Sequence, residues 1–400
     1  MKSRNLLNFQ KFTIITTLII LAIVLRIFFL YIPSPDLTEF NSVWYDTFIK
    51  IGRIDAFKTV FYNYSPAYLY LIDFTTLFRF IPKIIALKLI PIFFDGFAAF
   101  AVYKIISLKY SGGNYPWVGF FAILFAPTVF IESSMWGQVD IIFTSFLLWS
   151  FFYLLKDKPF LSILAFSIAL CFKFQAIFFA PIFIILFFRK KMPFWSFFCI
   201  PIVFFISVIP AWLSGGPLGD ILSIYFSQAN TYHSLSLRAP NLYLFLPSDP
   251  NFELKKWLGI GFTGILVLLY LLFRFYKKKE LSYIALSFDA ALLTTFIVFF
   301  LPSMHERYFF TASVFLIVLA LFYPKMIWAS ILIQASSLIS FIPYFTGWSD
   351  IFAQIGAVLN IFLLIGLVFF YRDYLINGIN ENDSPKIIFP HSPSIECGEK

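Results

Sequence analysis

The stretch FTIITTLIILAIVLRIFFLY, residues 12–31, decides the fold class of this protein. It is an almost uninterrupted apolar run, long enough to cross the hydrocarbon core of a bilayer as one helix. The run lacks a small-residue cleavage site, so we interpret it as a signal anchor rather than a cleaved signal peptide. We therefore expect the N-terminus to stay in the cytoplasm.

The composition extends this interpretation to the whole chain. Of the 400 residues, 60% are hydrophobic and only 13% are charged, and the mean hydropathy is +0.85. No soluble domain of this length is so apolar. The formal net charge is +9, but Lys and Arg stand in short clusters at the ends of apolar runs, as in FFRKK and FRFYKKK. That is the positive-inside pattern of membrane proteins, so we do not expect nucleic acid as a partner.

Apolar length and flanking charge predict an all-α polytopic fold with roughly 11–13 transmembrane or re-entrant helices. The regular spans are predicted at 13–32, 84–106, 116–131, 139–155, 194–213, 257–276, 281–300, 308–323, 325–346 and 350–372. Two apolar regions are irregular: 66–80 is too short for a comfortable crossing, and 160–188 is too long for one helix and short for two. Irregular backbone at membrane depth needs cover from protein or a polar cavity, so we expect both regions to line a cavity.

The basic clusters assign the connecting segments to the two sides of the membrane. The cytoplasmic side receives the N-terminus, Lys104/Lys109, Lys156/Lys158, Arg189–Lys191, Lys277–Lys279 and the tail after Arg372. The other side receives 33–64, 132–140, 214–255 and 301–307, which hold nearly all the unusual polar residues. Residues 1–372 thus form one membrane domain, and residues 373–400 are expected to be a disordered cytoplasmic tail.

The first external loop, 33–64, is rich in acids and aromatics. Its carboxylates are Asp36, Glu39, Asp46 and Asp55. Residues 43–61 have the spacing of an amphipathic helix that lies on the membrane surface. Asp36 follows the first span directly, where a carboxylate can accept a proton from an acceptor hydroxyl. The alternative, that Asp36 is an ordinary solvated acid, stays open from position alone.

The motif ESSMWGQVD, 132–140, interrupts a region otherwise suited to lipid with Glu132, Gln138 and Asp140. An ionisable group at membrane depth costs roughly 2.5–3.5 kcal/mol on insertion, so such groups usually face a cavity. We interpret Asp140 as functional on that ground. The alternative is a short loop whose polar residues meet water.

The motif MHERY, 304–308, brings three polar residues together between two apolar runs. The Arg307 guanidinium can hold a phosphate with two hydrogen bonds, and His305 can donate to an oxygen of the same anionic head group. In the alternative, Arg307 pairs with Glu306 or reaches lipid phosphate without further function. Lys173, in the irregular region, is either a second phosphate contact or part of a cytoplasmic turn.

Signatures of soluble enzymes are missing from the sequence. It contains no glycine-rich phosphate loop, no GxSxG, no HExxH and no paired Cys set, and its three cysteines give no disulfide framework. No segment outside the predicted spans is large enough for a soluble nucleotide-sugar domain. The chemistry is therefore expected within the membrane domain.

Four motifs follow one another in an order that resembles a known family. They are DLTEF (36–40), NYSPAYLYL (63–71), WGQVD (136–140) and MHERY (304–308). The order resembles bacterial integral-membrane glycosyltransferases of the GT-C class, the branch similar to GPI-anchor mannosyltransferases. The resemblance covers residues 10–370. The chain departs from the family where Phe174 replaces the middle proline of a KPQ-like element, and Glu39 leaves the choice of base open.

The resemblance implies a polyprenyl-phosphate sugar as donor, rather than a nucleotide sugar. It implies Asp36 or Glu39 as the catalytic base and Asp140 as a second acidic contact. Contacts to the donor phosphate are implied for His305, Arg307 and Lys173. Contacts to the sugar or the acceptor are implied for Trp136, Gln138, Glu306, Gln175 and Tyr64.

The function expected from these observations is transfer of a hexose, with mannose as the first choice, to a lipid-linked, glycan or protein acceptor. A single displacement with one base and no covalent intermediate predicts inversion at the anomeric carbon. The alternatives are a transporter or flippase of lipid-linked sugars, and a polymerase of lipid-linked repeat units. The one-sided acid cluster favours the enzyme, because a flippase is expected to carry inverted repeats and charges near the bilayer midplane.

We expect a multi-pass protein of a bacterial inner or plasma membrane, surrounded by membrane lipids. Both termini are expected in the cytoplasm and the active site on the outer face. No cofactor is required. A divalent cation stays an option, because Asp36, Asp140 and Glu306 offer oxygen ligands, although nothing in their spacing demands one.

Overall fold

The computed structural model describes residues 2–111, 113–229, 233–246, 251–276 and 281–377. These residues form seventeen α-helices, with 3₁₀- and π-helical turns at several breaks, and one pair of two-residue parallel strands. The strands are β1 (Ser236–Leu237) and β2 (Met304–His305). The helices are α1 (Lys2–Phe29), α2 (Ser42–Ile51), α3 (Pro66–Thr75), α4 (Lys83–Ser107), α5 (Tyr115–Leu124), α6 (Pro127–Phe130), α7 (Asp140–Leu155), α8 (Pro159–Phe172), α9 (Pro181–Phe188), α10 (Cys199–Leu213), α11 (Leu218–Leu222), α12 (Ile224–Ala229), α13 (Phe252–Tyr276), α14 (Tyr283–Phe300), α15 (Phe310–Phe322), α16 (Ile327–Thr346) and α17 (Ile351–Asn377).

Most of these helices are apolar enough for a membrane. Seven of the described helical segments have the length and hydropathy to cross a bilayer: α1, α4, α13, α14 and α17, and α10 and α16 together with the 3₁₀ turns that precede them. The pair Tyr115–Leu124 and Pro127–Trp136, bent by 44° at its break, is an eighth candidate. Four shorter apolar segments are Asp140–Leu155, Pro159–Phe172, Phe174–Phe188 and Phe310–Phe322. The prediction of an all-α, multi-pass membrane protein is confirmed.

The region between α8 and α9, predicted to be irregular, is the tip of a helical hairpin. Lys173 has an extended backbone, and a 3₁₀ turn follows over Phe174–Phe179. Lys173 lies beside Asp140, at the start of α7. At the other end of the hairpin, Phe160 in the first turn of α8 packs against Trp195, shortly after α9 (ring centroids 5.8 Å apart). The chain therefore returns to the end of the bundle from which α8 began.

The first loop is folded rather than extended. A π-helical turn over Leu37–Asn41 leads into α2, whose aromatic face is buried. α2 ends at Gly52, which has a φ of 105° in the left-handed region that favours glycine. The predicted amphipathic segment 43–61 is thus helical in two pieces, α2 and a 3₁₀ turn over Asp55–Lys58. α3 has ten residues and is about 15 Å long, half of a hydrocarbon core, so it does not cross.

One buried ion pair holds α1 to the bundle. Arg26 Nε lies 2.7 Å from Asp95 Oδ2 in α4, and Arg26 Nη2 donates to the Leu124 carbonyl (3.0 Å). The Ser133 hydroxyl donates to the same carboxylate oxygen (2.6 Å). Only 11% of the most apolar stretch of α1 is buried within the protein, so the rest of the helix faces outward. Arg26 is tolerated at membrane depth because its charge is paired inside the protein.

A second buried charge cluster corrects the expectation that nearly all unusual polar residues lie in the four external segments. Arg274 and Asp289 are fully buried, with Nε 2.8 Å from Oδ1. The hydroxyls of Tyr270 and Tyr371 both donate to Asp289 (2.5 Å each). The cluster joins α13, α14 and α17. Sequence position alone grouped Arg274 with the basic residues that flank a span, because its partners lie on other helices.

α13 packs closely on the turn that follows α14. A Cβ at Gly259 would collide with the Tyr243 hydroxyl and would lie 3.2 Å from Pro302 Cδ. The Tyr243 hydroxyl donates to the Phe300 carbonyl (2.9 Å), and so does the Thr263 hydroxyl (2.8 Å). These contacts fix the first turns of α13 against the segment that leads to β2.

Gly259→Ala is expected to lower the free energy of unfolding by about 1–3 kcal/mol, because the added methyl must displace a hydrogen-bonded tyrosine from a packed interface. The matched control is Gly264→Ala on the same helix, where a Cβ meets nothing within 4 Å. Denaturant titrations of both variants in one detergent measure the difference. Equal stability of the two would contradict the close packing of α13.

The four segments predicted to share one side of the membrane meet at one end of the bundle, called here the polar end. The Ser34 hydroxyl donates to the Trp136 carbonyl (2.6 Å), which joins the first and second segments. In the parallel strands Ser236 lies opposite Met304, which joins the third and fourth. The polar residues far apart in sequence are thus brought to one place.

Some of the predicted features lie outside the described residues. These are the basic cluster Lys277–Lys279, parts of the external segment 214–255 and most of the predicted tail. α17 continues to Asn377, five residues beyond the predicted end of the last span at 372.

Candidate functional site

A cavity of about 360 Å³ lies at the polar end. Four of the eleven site residues predicted from the sequence lie behind its wall and are buried: Trp136, Asp140, Lys173 and Glu306. Glu39 is exposed in the first loop. The other six line the cavity: Asp36, Tyr64, Gln138, Gln175, His305 and Arg307.

The two irregular apolar regions differ in their relation to this cavity. The 3₁₀ turn after Lys173 contributes Phe174, Gln175 and Phe178 to the wall, as expected for a broken helix. α3 contributes no lining residue among those described, so the expectation for 66–80 is wrong. α3 packs instead against α4, α8 and α10, with Tyr68, Leu69 and Ile72 buried.

Asp36 stands on the cavity wall at the start of the π-helical turn. The Gln138 side-chain amide donates to its Oδ2, and Arg307 Nη1 lies 3.2 Å from the same oxygen. The backbone N–H of Asp36 donates to the Tyr344 hydroxyl (3.2 Å). No hydrogen bond from the described part of the chain reaches Oδ1 of Asp36. The carboxylate is therefore held in one orientation, with Oδ1 left to meet a bound hydroxyl.

A left-handed glycine turns the chain so that Gln138 reaches Asp36. Gly137 has a φ of +78°, and a Cβ there would lie 2.9 Å from Leu37 Cδ1, so a side chain is disfavoured on both counts. The glycine follows a π-helical segment, Ile131–Trp136. Such turns are frequent at functional sites. The motif WGQVD is thus needed for its backbone as well as for its polar side chains.

Arg307 is the centre of an ion-pair network. Its Nη1 lies 2.9 Å from Glu306 Oε1 and 3.2 Å from Asp36 Oδ2, and its Nε lies 3.6 Å from Asp140 Oδ2. The guanidinium carbon is 5.7 Å from the centre of the Trp136 ring. Three carboxylates therefore share this one cation, which is held in place from several sides.

Lys173 pairs with Asp140 behind the wall. Its Nζ lies 2.8 and 3.0 Å from the two carboxylate oxygens, and the two side chains are only 2% and 1% exposed. The same Nζ lies 4.8 Å from the centre of the Tyr308 ring. Lys173 was predicted to contact the donor phosphate and Asp140 to contact the sugar or acceptor. In the structure this pair lies behind the cavity wall, next to Arg307 and at the tip of the α8–α9 hairpin.

β2 sets the orientation of His305. Leu237 lies opposite His305, and the backbone N–H of Glu306 donates to the Leu237 carbonyl (3.1 Å). Burial, together with the nearby positive charge of Arg307, lowers the pKa of His305 from its ordinary value, so the imidazole is neutral at neutral pH. A neutral imidazole donates through one nitrogen and accepts through the other, which suits a sugar hydroxyl.

Acids outnumber bases around this part of the cavity. The cations of Arg307 and Lys173 face the carboxylates of Asp36, Glu132, Asp140 and Glu306. Neither side-chain oxygen of Glu132, a buried residue, has a hydrogen-bond partner in the described part of the chain. Only Asp36 and Arg307 of this group line the cavity, and the others lie buried behind them. Within the described ranges, no three His, Cys, Asp or Glu side chains are arranged to hold a metal ion.

Several lining residues escaped sequence reasoning. Trp44 and Tyr225 are two aromatics among many in this chain, and Lys256 stood beside Lys255 as an apparent flanking charge of a span. Asn63 is the exception: it is the first residue of the NYSPAYLYL motif, and that motif could have pointed to it as a lining residue. A single sequence does not tell which aromatic or flanking cation points into a cavity.

No protein-family model matches this sequence, and a search of the curated proteins finds no match either. The function is therefore inferred from the chemistry of the cavity and from the order of its motifs.

Proposed function

We propose that the protein is an integral-membrane glycosyltransferase. It moves a hexose, with mannose as the first candidate, from a polyprenyl-phosphate donor to an acceptor hydroxyl at the outer face. The observation that carries the proposal is the cavity at the polar end of a multi-pass bundle. One part of its wall holds an oriented carboxylate, an amide and an imidazole, and another part is aromatic and aliphatic. A lipid-linked sugar needs both kinds of surface.

The chemistry assigned to Asp36 is that of a general base. Its Oδ1 takes the proton of the acceptor hydroxyl as the hydroxyl oxygen attacks the anomeric carbon. The bond from that carbon to the phosphate oxygen breaks, and polyprenyl phosphate leaves. Glu39 is exposed and outside the cavity lining, which favours Asp36 as the base. A single displacement of this kind inverts the anomeric configuration.

The sugar hydroxyls are assigned to the polar side chains of the wall. Gln138 and His305 offer both donors and acceptors. Gln175 Oε1 is buried without a hydrogen-bond partner among the described residues, and a sugar hydroxyl would satisfy it. Trp136 and Glu306, predicted to contact the sugar or acceptor, are assigned instead to the support of Arg307.

The test is transfer by purified protein in liposomes, with radiolabelled polyprenyl-phosphate mannose and a membrane-lipid extract as acceptor. Label in a new product of inverted configuration is the expected result. A product that keeps the donor configuration would rule out the single displacement. Label that only changes leaflet would support a flippase, and a ladder of growing products would support a polymerase.

A further inference from the structure

We propose that a groove between α1 and α5 binds an anionic phospholipid, with the head group at Lys11 and one acyl chain between the two helices. The groove has a volume of about 570 Å³ and, among the described residues, has no lining residue in common with the cavity at the polar end. The inference goes beyond the proposed function and does not depend on it. It gives α1, of which only 11% of the most apolar stretch is buried, a second attachment to the bundle.

The groove lies where α1 and α5 part. Near the polar end the two helices are joined, because Arg26 Nη2 donates to the Leu124 carbonyl (3.0 Å). Farther from the polar end, side chains from 10–18 of α1 and from 114–125 in and around α5 line the groove. Residues 114–125 rise by about 16 Å, close to half of a hydrocarbon core. That length fits one acyl chain in one leaflet and is too short for a crossing helix.

The walls of the groove are apolar along most of its length. Ile14 and Leu18 line it from α1, and Val118 and Phe121 line it from α5. Ile14 is 59% exposed and Val118 is 51% exposed, so the groove is open to the surroundings of the bundle. At membrane depth an apolar groove of this kind takes up a hydrocarbon chain rather than water.

The end of the groove away from the polar end carries polar side chains. Gln10, Lys11 and Asn114 line it there, and Trp117 follows in the first turn of α5. About 27 Å of helix separates Lys11 from Phe29, the last residue of α1, so Lys11 lies near the membrane surface opposite the polar end. An ammonium, two amides and an indole at this depth suit the phosphate and glycerol of a lipid head group.

The charge around this end of the groove favours an anion. The sequence has no Asp or Glu in 1–35, which holds α1, or in 96–131, which holds α5. Lys104 and Lys109, at and just after the end of α4, add positive charge at the same end of the bundle. Basic residues at a membrane surface attract anionic lipids. A zwitterionic lipid gains less, because its own ammonium meets the same positive field.

The test compares two lipids that differ only in the head group. Wild type, Lys11→Met and Lys158→Met are titrated in detergent with phosphatidylglycerol and with phosphatidylcholine of the same acyl chains, and bound lipids are counted by native mass spectrometry. Wild type is expected to bind the first phosphatidylglycerol about 5- to 10-fold more tightly than phosphatidylcholine, and Lys11→Met is expected to lose about 5-fold of that affinity.

Lys158→Met is the matched control, because Lys158 precedes α8 at the same end of the bundle and does not line the groove. It is expected to bind both lipids as wild type does. Equal binding of the two lipids by wild type, or an equal loss in Lys158→Met, would overturn the proposal.

A second variant tests the path of the acyl chain without touching the head-group end. Ala122 lines the groove on α5, and Ala122→Phe places a ring in that path. The variant is expected to weaken the first bound lipid of both kinds by a similar factor. Thermal unfolding without added lipid distinguishes a filled groove from a lost fold. A folded Ala122→Phe that binds phosphatidylglycerol as wild type does would overturn the placement of the chain.

Competition and oligomeric state decide the occupant. Glycerol 3-phosphate has the phosphate without the chains, and displacement of phosphatidylglycerol by it would overturn the proposal in favour of a soluble anion. Polyprenyl phosphate that displaces phosphatidylglycerol at a lower concentration would overturn it in favour of the sugar donor. Loss of the bound lipid when the protein dimerises would overturn it in favour of a second copy of the chain.

Discussion

Asp36→Asn is expected to lower the turnover number for sugar transfer by about 10²- to 10⁴-fold. Asparagine keeps the size of the side chain and an oxygen that accepts from Gln138 and Arg307, but it cannot take a proton from the acceptor. Donor affinity is expected to stay close to that of wild type, because Asp36 is assigned to the acceptor side of the reaction. Single-turnover rates at saturating donor and acceptor, with a separate measurement of donor binding, check both statements.

The matched control is Glu39→Gln, three residues along the chain and exposed to solvent. It is expected to transfer sugar at nearly the wild-type rate. A slow Glu39→Gln beside a normal Asp36→Asn would move the base to Glu39. Thermal unfolding of both variants in detergent distinguishes a lost base from a lost fold.

Lys173→Met is expected to lower the free energy of unfolding by about 3–5 kcal/mol, the largest loss of stability predicted for this protein. The substitution leaves the Asp140 carboxylate, 1% exposed, without the cation that contacts both of its oxygens. Arg307 remains, but at 3.6 Å it is a more distant partner. Denaturant titration in detergent, followed by helical circular dichroism, measures the loss.

The double variant Lys173→Met/Asp140→Leu is the control for this experiment. Removing both charges is expected to recover much of the stability, since a buried ion pair can be replaced by apolar residues at little cost. Had Lys173 acted chiefly as a phosphate contact, the single variant would weaken donor binding and unfold like wild type.

The crossing helices were predictable because apolar length is a local property of the sequence. The predicted spans 84–106 and 281–300 correspond to α4 and α14 within two residues at each end. The break inside 160–188 was predictable for the same reason, because the run has the wrong length for one or two helices. A turn at Lys173 was one of the two interpretations of the sequence, but its place beside Asp140 was not predictable, because that contact joins α7 to the end of α8.

The residues of the site were predictable as a group, but their roles were not. Hydropathy marks a charged residue at membrane depth as unusual and does not reveal its partner. Lys173 and Asp140 are 33 residues apart in sequence and are joined only by the fold. Lys256 shows the reverse case, because it looked like an ordinary charge flanking a span. Which polar side chain faces the cavity and which supports it from behind depends on long-range packing.

The ion pair between Arg26 and Asp95 has a consequence for biogenesis. The two residues are 69 positions apart, so Arg26 is synthesised and reaches the bilayer before its partner exists. An unpaired arginine in a span costs about 2.5–3.5 kcal/mol on insertion scales, which the apolar remainder of α1 offsets. We therefore expect α1 to enter the membrane as an independent helix and to join α4 only after Asp95 has been translated. On this account the Arg26–Asp95 pair forms late, after α1 and α4 are both in the membrane.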